Sequence, residues 1–505
     1  MYLLGIDSGG TVTKVALFDL GGREIGRAAQ RVEPRHPQPG WAERDLDQLW
    51  QSTAAAIRTV VAMAGIRPQE IAGVGTTGHG NGLYLLDRRG APLGPGVLSF
   101  DTRAAAHVQG WSEAGLATRL WPRLLQQLWA GQPPALLRWI KQHQPERYRQ
   151  IGSVLLAKDY LRFCLTGAVG TDPTDLSATG LFDLRARACT PDLLEQFGIP
   201  EVASALPPLA QSCEVVGRVT AQAARATGLA EGTPVVGGML DVSACALGAG
   251  VTQPHRACVI VGTWSINQIV GAGPLADPDL FLNSLYLPGL WLTLEASPTS
   301  AANLEWFVAQ CCAEEQAEAR RRGVSVYEVC SEQVAGLPPA GSGVIFHPFL
   351  FGSNIQPSAR AGFYGVAGWH TRAHLLRAIY EGIVYGHLSH IQKLQAAGAQ
   401  IDSVRLTGGG ARSSVWAQIF ADTLGLPIEV PAGSEIGARG AAICAGVGVG
   451  AYTDYDEAVR RTVAVERRQE PNPEAAPLYR AGYAEYTGLL QSMREPWERL
   501  ARLGR

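Results

Sequence analysis

Two acids in this 505-residue chain stand where an apolar run meets glycine. The first is Asp7, in Asp7-Ser8-Gly9-Gly10-Thr11-Val12-Thr13-Lys14. A strand ends in a carboxylate, turns on two glycines and returns through hydroxyl residues and a lysine. Glycines let backbone N–H groups approach phosphate oxygens, and a nearby carboxylate can hold Mg²⁺ through water. Taken alone, an ordinary hairpin with a polar turn explains these residues better. The second acid is Asp241, in Gly237-Gly238-Met239-Leu240-Asp241-Val242-Ser243-Ala244. It is read both as a helix N-cap and as a base facing a substrate hydroxyl, and the two roles are compatible.

Two further stretches have chemical potential. Thr407-Gly408-Gly409-Gly410-Ala411-Arg412-Ser413 lies between a predicted strand and a predicted helix. It suits a nucleotide held on backbone and a helix N-terminus, or a common glycine-rich turn. His370-Thr371-Arg372-Ala373-His374 has i, i+4 histidines but lacks Glu at its second position and a third ligand, so it reads as a helix start with two surface histidines. The Gly408–Gly410 loop is not a dinucleotide fingerprint, because no suitable acid follows it at the right distance, and no G-x-x-x-x-G-K-[ST] loop or protein-kinase set occurs.

The elements that must position these residues follow from spacing. Leu3 to Ile6 and Thr13 to Phe18 form a hairpin on Gly9-Gly10, with a third strand over Arg23 to Ala28. Asp45 caps a helix whose apolar face holds Leu46, Leu49, Trp50, Ile57, Val60 and Val61. Ile71 to Thr77 is a further strand. Leu136 to Gly167 is mostly helical in pattern, Asp183 to Pro208 irregular, and Thr220 to Thr227 a short helix stopped by Gly228. Strands over Ala257 to Val261 and Ser265 to Val270, joined at Gly262-Thr263, repeat the opening theme without sequence identity. This places a boundary near Ala246 and predicts two α/β domains of related topology, 1–246 and 247–505. His374 to Leu394, Ser413 to Leu424 and Ala476 to Leu503 read as helices, and Ser403 to Thr407 as a strand.

Composition bounds the function. The net charge is -2 and the pI about 6.6, which gives no electrostatic ground for nucleic acid or an anionic membrane as partner. Nine cysteines without a CxxC pair read as reduced thiols of a cytoplasmic protein. The first residues meet an acid by position 7 and do not read as a signal peptide, and no apolar run reaches membrane-spanning length.

Together the motifs resemble the FGGY carbohydrate kinases of the actin-like and hexokinase-like ATPase superfamily. The carrying stretches, in family order, are GIDSGGTVTK, PGWAERDLDQLW, GVGTTGHGNGLYLLD, SFDTRA, KDYLRFCLTG, PVVGGMLD, VGTWS, AGFYGVAGWHTRAHLLRAIYE and LTGGGARSSVWAQIFADTLGLPIEV. PGWAERD, LLRWIKQHQPERYRQIG, EASPTSAANLEWF, FLFGSN and HTRAHLLRAIYEG are most similar to the L-xylulose kinase branch, with D-xylulose, L-ribulose and erythritol kinases left open.

The resemblance implies two ribonuclease-H-like domains with a catalytic cleft, ATP and Mg²⁺ as cofactors, and a small sugar or polyol as substrate. Many members are dimers, so it also allows a homodimer. Asp241 aligns with the family's catalytic base and Asp7 with its Mg²⁺-associated carboxylate. Gly9, Gly10, Thr11 and Lys14 align with the first phosphate hairpin, Gly262 and Thr263 with the second, and Gly409 and Gly410 with the adenosine loop. His79, Asn81, Asp101 and Arg103 are assigned to sugar hydroxyls, because such a ligand needs many paired donors and acceptors.

Trp264 reads equally as a sugar-stacking ring and as packing behind the hairpin. Glu43 reads either as a residue reaching the sugar-side cleft or, the preferred reading, as a polar residue ahead of the helix capped by Asp45. Gly80-Asn81 stands where glycerol kinases have Arg-Glu, Ser99 where they have Trp, and Val242 where Gln or Asn is frequent. These departures argue against glycerol. Gly10 replaces the usual Thr of the first hairpin, while Thr11 keeps a hydroxyl there. A catalytically silent sugar-binding regulator and an actin-like ATPase are the competing classes. The first needs no full set of Asp7, Thr11 and Asp241, and the second needs no sugar-side motifs.

Overall fold

A computed structural model of the protein describes residues 1–503, which divide into two compact units. The first comprises Met1–Pro254, Val270–Thr293 and Gly433–Ala464; the second comprises His255–Ile269, Leu294–Ala432 and the described residues from Val465 onward.

The first unit is built on a seven-stranded mixed sheet. Tyr2–Ser8 pairs antiparallel with Val12–Asp19, which pairs antiparallel with Glu24–Arg31. On its other side Tyr2–Ser8 runs parallel to Ile71–Gly78, and that strand runs parallel to Pro234–Val236 and to the two-residue Met239–Leu240. Leu4, Ile6, Val15, Leu17 and Val74 pack with Leu49, Ile57 and Val60 of the Leu46–Ala64 helix and with Tyr160, Leu161 and Leu165 of the Ala157–Thr166 helix. The Asp45 carboxylate accepts from Gln48 N at 3.0 Å to start the first of these helices, and left-handed Gly65 ends it.

Helix Ile436–Gly448 lies against the strands Tyr2–Ser8 and Ile71–Gly78 at a distance that only glycine permits. A Cβ on Gly5 would sit 1.8 Å from Ala438 O, and one on Gly75 1.9 Å from Ala441 O.

The second unit repeats the succession of pairings. Arg256–Val261 is antiparallel to Ser265–Gly271 and parallel to Ser403–Thr407, then come parallel Ile428–Pro431 and antiparallel Val465–Gln469. The related topology read from pattern is therefore present in both sheets.

Some local expectations change. The segment read as mostly helical contains a strand, Ile151–Leu155, which pairs with Tyr84–Asp87. The third strand extends to Arg31, which pairs with Val12, and its register with Val12–Asp19 shifts once, between Leu17 and Phe18. The segment read as irregular holds a helix, Pro191–Gln196, and a 3-10 turn, Pro200–Ala205. The C-terminal helix is two, Ala476–Ser492 and Arg494–Leu503. No described helix is long and apolar enough to cross a membrane.

Candidate active site

Three adjacent parallel strands of the first unit end together, and each delivers one part of the site. Asp7 pairs with Thr77, and Thr77 pairs with Met239; Ser8 pairs with Gly78, and Gly78 with Leu240. The carboxyl ends of these strands therefore present Asp7, the Gly78-His79-Gly80-Asn81 turn and Asp241 side by side, where ligands bind in open α/β sheets.

The Asp7 carboxylate rests on the start of helix Ile436–Gly448: a Cβ on Gly437 would lie 2.4 Å from Asp7 Oδ2. Burial pushes the Asp7 pKa up to about 6, with Lys14 lowering it and Glu435 raising it. Asp241 is the first residue of helix Asp241–Gly248, with Leu240 in the cap position, so the N-cap reading shifts by one residue. Its Oδ1 accepts from Val242 N at 2.7 Å. Burial raises its pKa to about 7; the Asp7 charge adds to that, and hydrogen bonds from Val242 and Gly80 N–H groups oppose it. A carboxylate titrating near neutrality is suited to accept a hydroxyl proton.

Thr11 is exposed, and Gly9, Gly10 and Lys14 are partly buried in the hairpin between the first two strands. Lys14 Nζ is 3.1 Å from Glu435. Arg44, fully buried, donates to Gly9 O at 2.7 Å and to Gly10 O.

The residues assigned to sugar are also buried in the first unit. His79 Nε2 is 2.8 Å from the Tyr84 hydroxyl, and burial, with the Arg44 charge second, lowers its pKa to about 3, so the ring is neutral. Asn81 adopts φ 59°, and its Oδ1 has no hydrogen-bond partner among the described residues. Asp101 accepts from Ala42 N at 2.6 Å and from Arg103 Nε at 2.9 Å. Arg103 also donates to Glu43 at 2.9 Å and lies 3.9 Å over the Trp41 ring, which leaves Nη1 unpartnered. Glu43 is thus a partner of Arg103, which corrects its reading as a mere polar residue ahead of the helix. Asn81 Oδ1 and Arg103 Nη1 are buried polar atoms of the kind a polyhydroxyl ligand satisfies.

Gly262, Thr263, Trp264, Gly409 and Gly410 belong to the second unit. Gly262, Thr263 and Trp264 form the turn of its hairpin, where Gly262 O accepts from Ala301 N at 2.9 Å. Trp264 is 41% exposed, so it does not pack behind that hairpin. Gly408 has φ 88° and stands against Val261, while a side chain on Gly409 would meet nothing within 4 Å. His370 Nε2 bonds Ser342 O at 2.7 Å and His374 closes a capping box with Thr371; both are half-buried.

Sequence reasoning missed three contributors. Arg44 and Glu435 are described above. The third is a buried set in which Lys158 Nζ is 2.6 Å from Asp159, 3.0 Å from Asp172 and 3.7 Å from Asp175. Thr174 links this set to the strand end that precedes Asp241: its hydroxyl donates to Asp172 and accepts from Leu240 N at 2.9 Å. The motifs KDY and TDPTD marked these residues, but nothing local placed them together.

The N-terminal domain of the FGGY family of carbohydrate kinases matches residues 2–248, and its C-terminal domain matches residues 257–449. The chain belongs to the FGGY family of carbohydrate kinases. An FGGY relative named L-xylulose/3-keto-L-gulonate kinase, from Escherichia coli K12, is 41% identical over 97% of both chains. A probable L-xylulose kinase from Pasteurella multocida is 40% identical over 98% of this chain and 99% of its own. The crystal structure of xylulose kinase from Rhodospirillum rubrum superposes with a TM-score of 0.87 at 29% identity, over 99% of this chain and all of that one. The α/β architecture of two domains with mixed sheets is the FGGY kinase fold.

Proposed function

We propose that this FGGY kinase transfers the γ-phosphoryl group of ATP to the terminal hydroxyl of L-xylulose, giving L-xylulose 5-phosphate and ADP. One observation carries the substrate: the 41% identity along the whole chain to a kinase named for L-xylulose. The same relative is also named for 3-keto-L-gulonate, which makes that sugar acid the second candidate.

Asp241 accepts the hydroxyl proton as the oxygen attacks phosphorus, and the bond to ADP breaks in line. His79, Asn81, Asp101 and Arg103 orient the other hydroxyls, and Trp264 is assigned to the sugar as well. Gly9, Gly10, Thr11 and Lys14 hold phosphate; Gly262, Thr263, Gly409 and Gly410 hold the rest of the nucleotide. Among the described residues no three His, Cys, Asp or Glu side chains are grouped to hold a metal. Asp7 nevertheless fits Mg²⁺, which commonly takes one or two carboxylates and completes its shell with water and phosphate oxygens. When bound, Mg²⁺ supplies charge neutralisation at the phosphates.

The domain division at residue 246, a cytoplasmic location and a homodimer stay part of this proposal. Nine free thiols and the use of ATP support the location.

ADP release with Mg-ATP, measured against L-xylulose, 3-keto-L-gulonate, D-xylulose, L-ribulose, erythritol, glycerol and no sugar, tests the reading. The expected result is the highest kcat/KM with L-xylulose. Preference for another sugar removes L-xylulose, and release without sugar favours an actin-like ATPase.

A further inference from the structure

Arg44 has no exposed surface, and its hydrogen bonds go to neutral oxygens: Gly9 O at 2.7 Å, Gly10 O, and Ser8 Oγ at 3.4 Å. Its Nε has no partner, and the guanidinium forms no ion pair among the described residues. A buried guanidinium is ordinarily paired with a carboxylate, because an uncompensated charge away from water is costly. Both neighbours of Arg44 in sequence are acids, yet each is engaged elsewhere, Glu43 with Arg103 and Asp45 with Arg35.

The two carbonyls it holds belong to consecutive peptides. In a trans peptide the N–H points opposite to the C=O, and the described residues have no cis bonds. Pinning Gly9 O and Gly10 O on Arg44 therefore turns the N–H groups of Gly10 and Thr11 away from it. Neither of those N–H groups has a partner among the described residues, whereas Gly9 N closes the turn on Val12 O at 3.0 Å. Two successive free N–H groups backed by an unpaired cation make an anion cradle.

We infer that Arg44 is a positioning residue of the phosphate hairpin: it orients the Gly10 and Thr11 N–H groups toward a phosphate and lends that anion its uncompensated charge. The inference rests on the proposed assignment of this hairpin to phosphate. It also ties the hairpin to the sugar side, since Arg44 neighbours the Tyr84 hydroxyl that bonds His79.

The test compares wild type with Arg44→Met and Arg44→Lys in the full chain. Calorimetry measures the magnesium complex of a non-hydrolysable imido analogue of ATP, and AMP; steady-state assays follow. Charge-assisted bonds of this kind correspond to about 10–100-fold in an equilibrium constant. Arg44→Met should weaken the imido analogue by about tenfold or more and AMP by less than about twofold. Its kcat should fall about 10–100-fold with sugar KM nearly unchanged. Arg44→Lys keeps charge and volume and should recover part of both losses, and it serves alone if the Met variant does not fold.

Equal weakening of the analogue and AMP would reduce Arg44 to a general structural role. Unchanged affinity and kcat in a folded Met variant would overturn the inference, as would a Lys variant no better than Met. If wild type binds the analogue but releases ADP with no sugar, the kinase assignment fails while the binding comparison still decides Arg44. If wild type does not bind the analogue, both fail.

Discussion

Lys14 Nζ lies 3.1 Å from the Glu435 carboxylate, although one residue is in the opening hairpin and the other precedes a helix near the end of the chain. Across the hairpin Lys14 also pairs with Asp7 in the strand register. The lysine is therefore shared between two acids: burial works against its charge, and Glu435 and Asp7 overcome this, so its pKa is raised. Glu435 in turn keeps Lys14 from neutralising Asp7 completely, which leaves the Asp7 carboxylate available to a cation.

Lys14→Met should raise KM for ATP about tenfold, in line with loss of a charge-assisted contact to phosphate, and leave KM for sugar nearly unchanged. Initial-rate kinetics with each substrate varied separately decide this. A change confined to sugar KM would remove Lys14 from the nucleotide side.

Asp241→Asn removes the proposed base and, at pH 8, also removes a charge that the fold holds unfavourably. Loss of general-base catalysis costs about 10²–10⁴ in kcat, while affinity for Mg-ADP should change by less than about threefold. The stability effect has the opposite sign. Burial raises the Asp241 pKa to about 7 and the Asp7 pKa to about 6. Between about pH 4 and 7 the native state therefore binds more protons than the unfolded chain, and the contribution of these groups falls as pH rises through that window. The Asn variant should be more stable than wild type at pH 8 by on the order of 1–3 kcal/mol, and equally stable near pH 4. Thermal melts without ligand at the two pH values check both statements.

The same shift sets the pH dependence of the reaction. A base with a pKa of about 7 is mostly protonated at pH 6, so kcat/KM should drop roughly tenfold for each unit below 7. Saturating Mg²⁺ beside Asp7 favours the ionised form of its neighbour and should move the acid limb to lower pH. A limb that stays fixed as Mg²⁺ is varied would argue against Asp7 as the metal-associated carboxylate.

What the sequence disclosed was local. Asp45 as a cap, Gly228 as a stop, the Gly9-Gly10 hairpin and the Gly408 loop each follow from a few adjacent residue types, and the structure has them all. The approach of helix Ile436–Gly448 to Gly5 and Gly75 does not follow from spacing, and with it Glu435 and Gly437 at Asp7 stay hidden. Arg44 illustrates a second limit. A charged residue between two acids reads as solvated, and only its burial and its bonds to Gly9 O and Gly10 O reveal that its side chain points inward. The strand Ile151–Leu155 was missed because it is short and lies directly between helices, where the periodic signal of its neighbours dominates.

The buried set around Lys158 gives the last prediction. Lys158 and Arg162 face Asp159, Asp172 and Asp175, all with fully buried side chains. Both Asp175 oxygens lack a hydrogen-bond partner, and burial, with Lys158 opposing and Asp159, Asp172 and Asp241 reinforcing, raises its pKa well above the carboxylate range. A protonated Asp175 would leave two cations balancing two carboxylates. Lys158→Met breaks that balance and should cost about 3–5 kcal/mol, because it strands buried charge. Asp175→Asn replaces a neutral carboxyl by a neutral amide of the same shape and should cost less than about 1 kcal/mol. Urea unfolding of both variants at pH 7 separates the cases. An Asn variant as damaged as the Met variant would mean that Asp175 is ionised and pairs with Lys158. The set also holds Thr174 under Leu240, so kcat of folded Lys158→Met should fall while that of Asp175→Asn stays close to wild type.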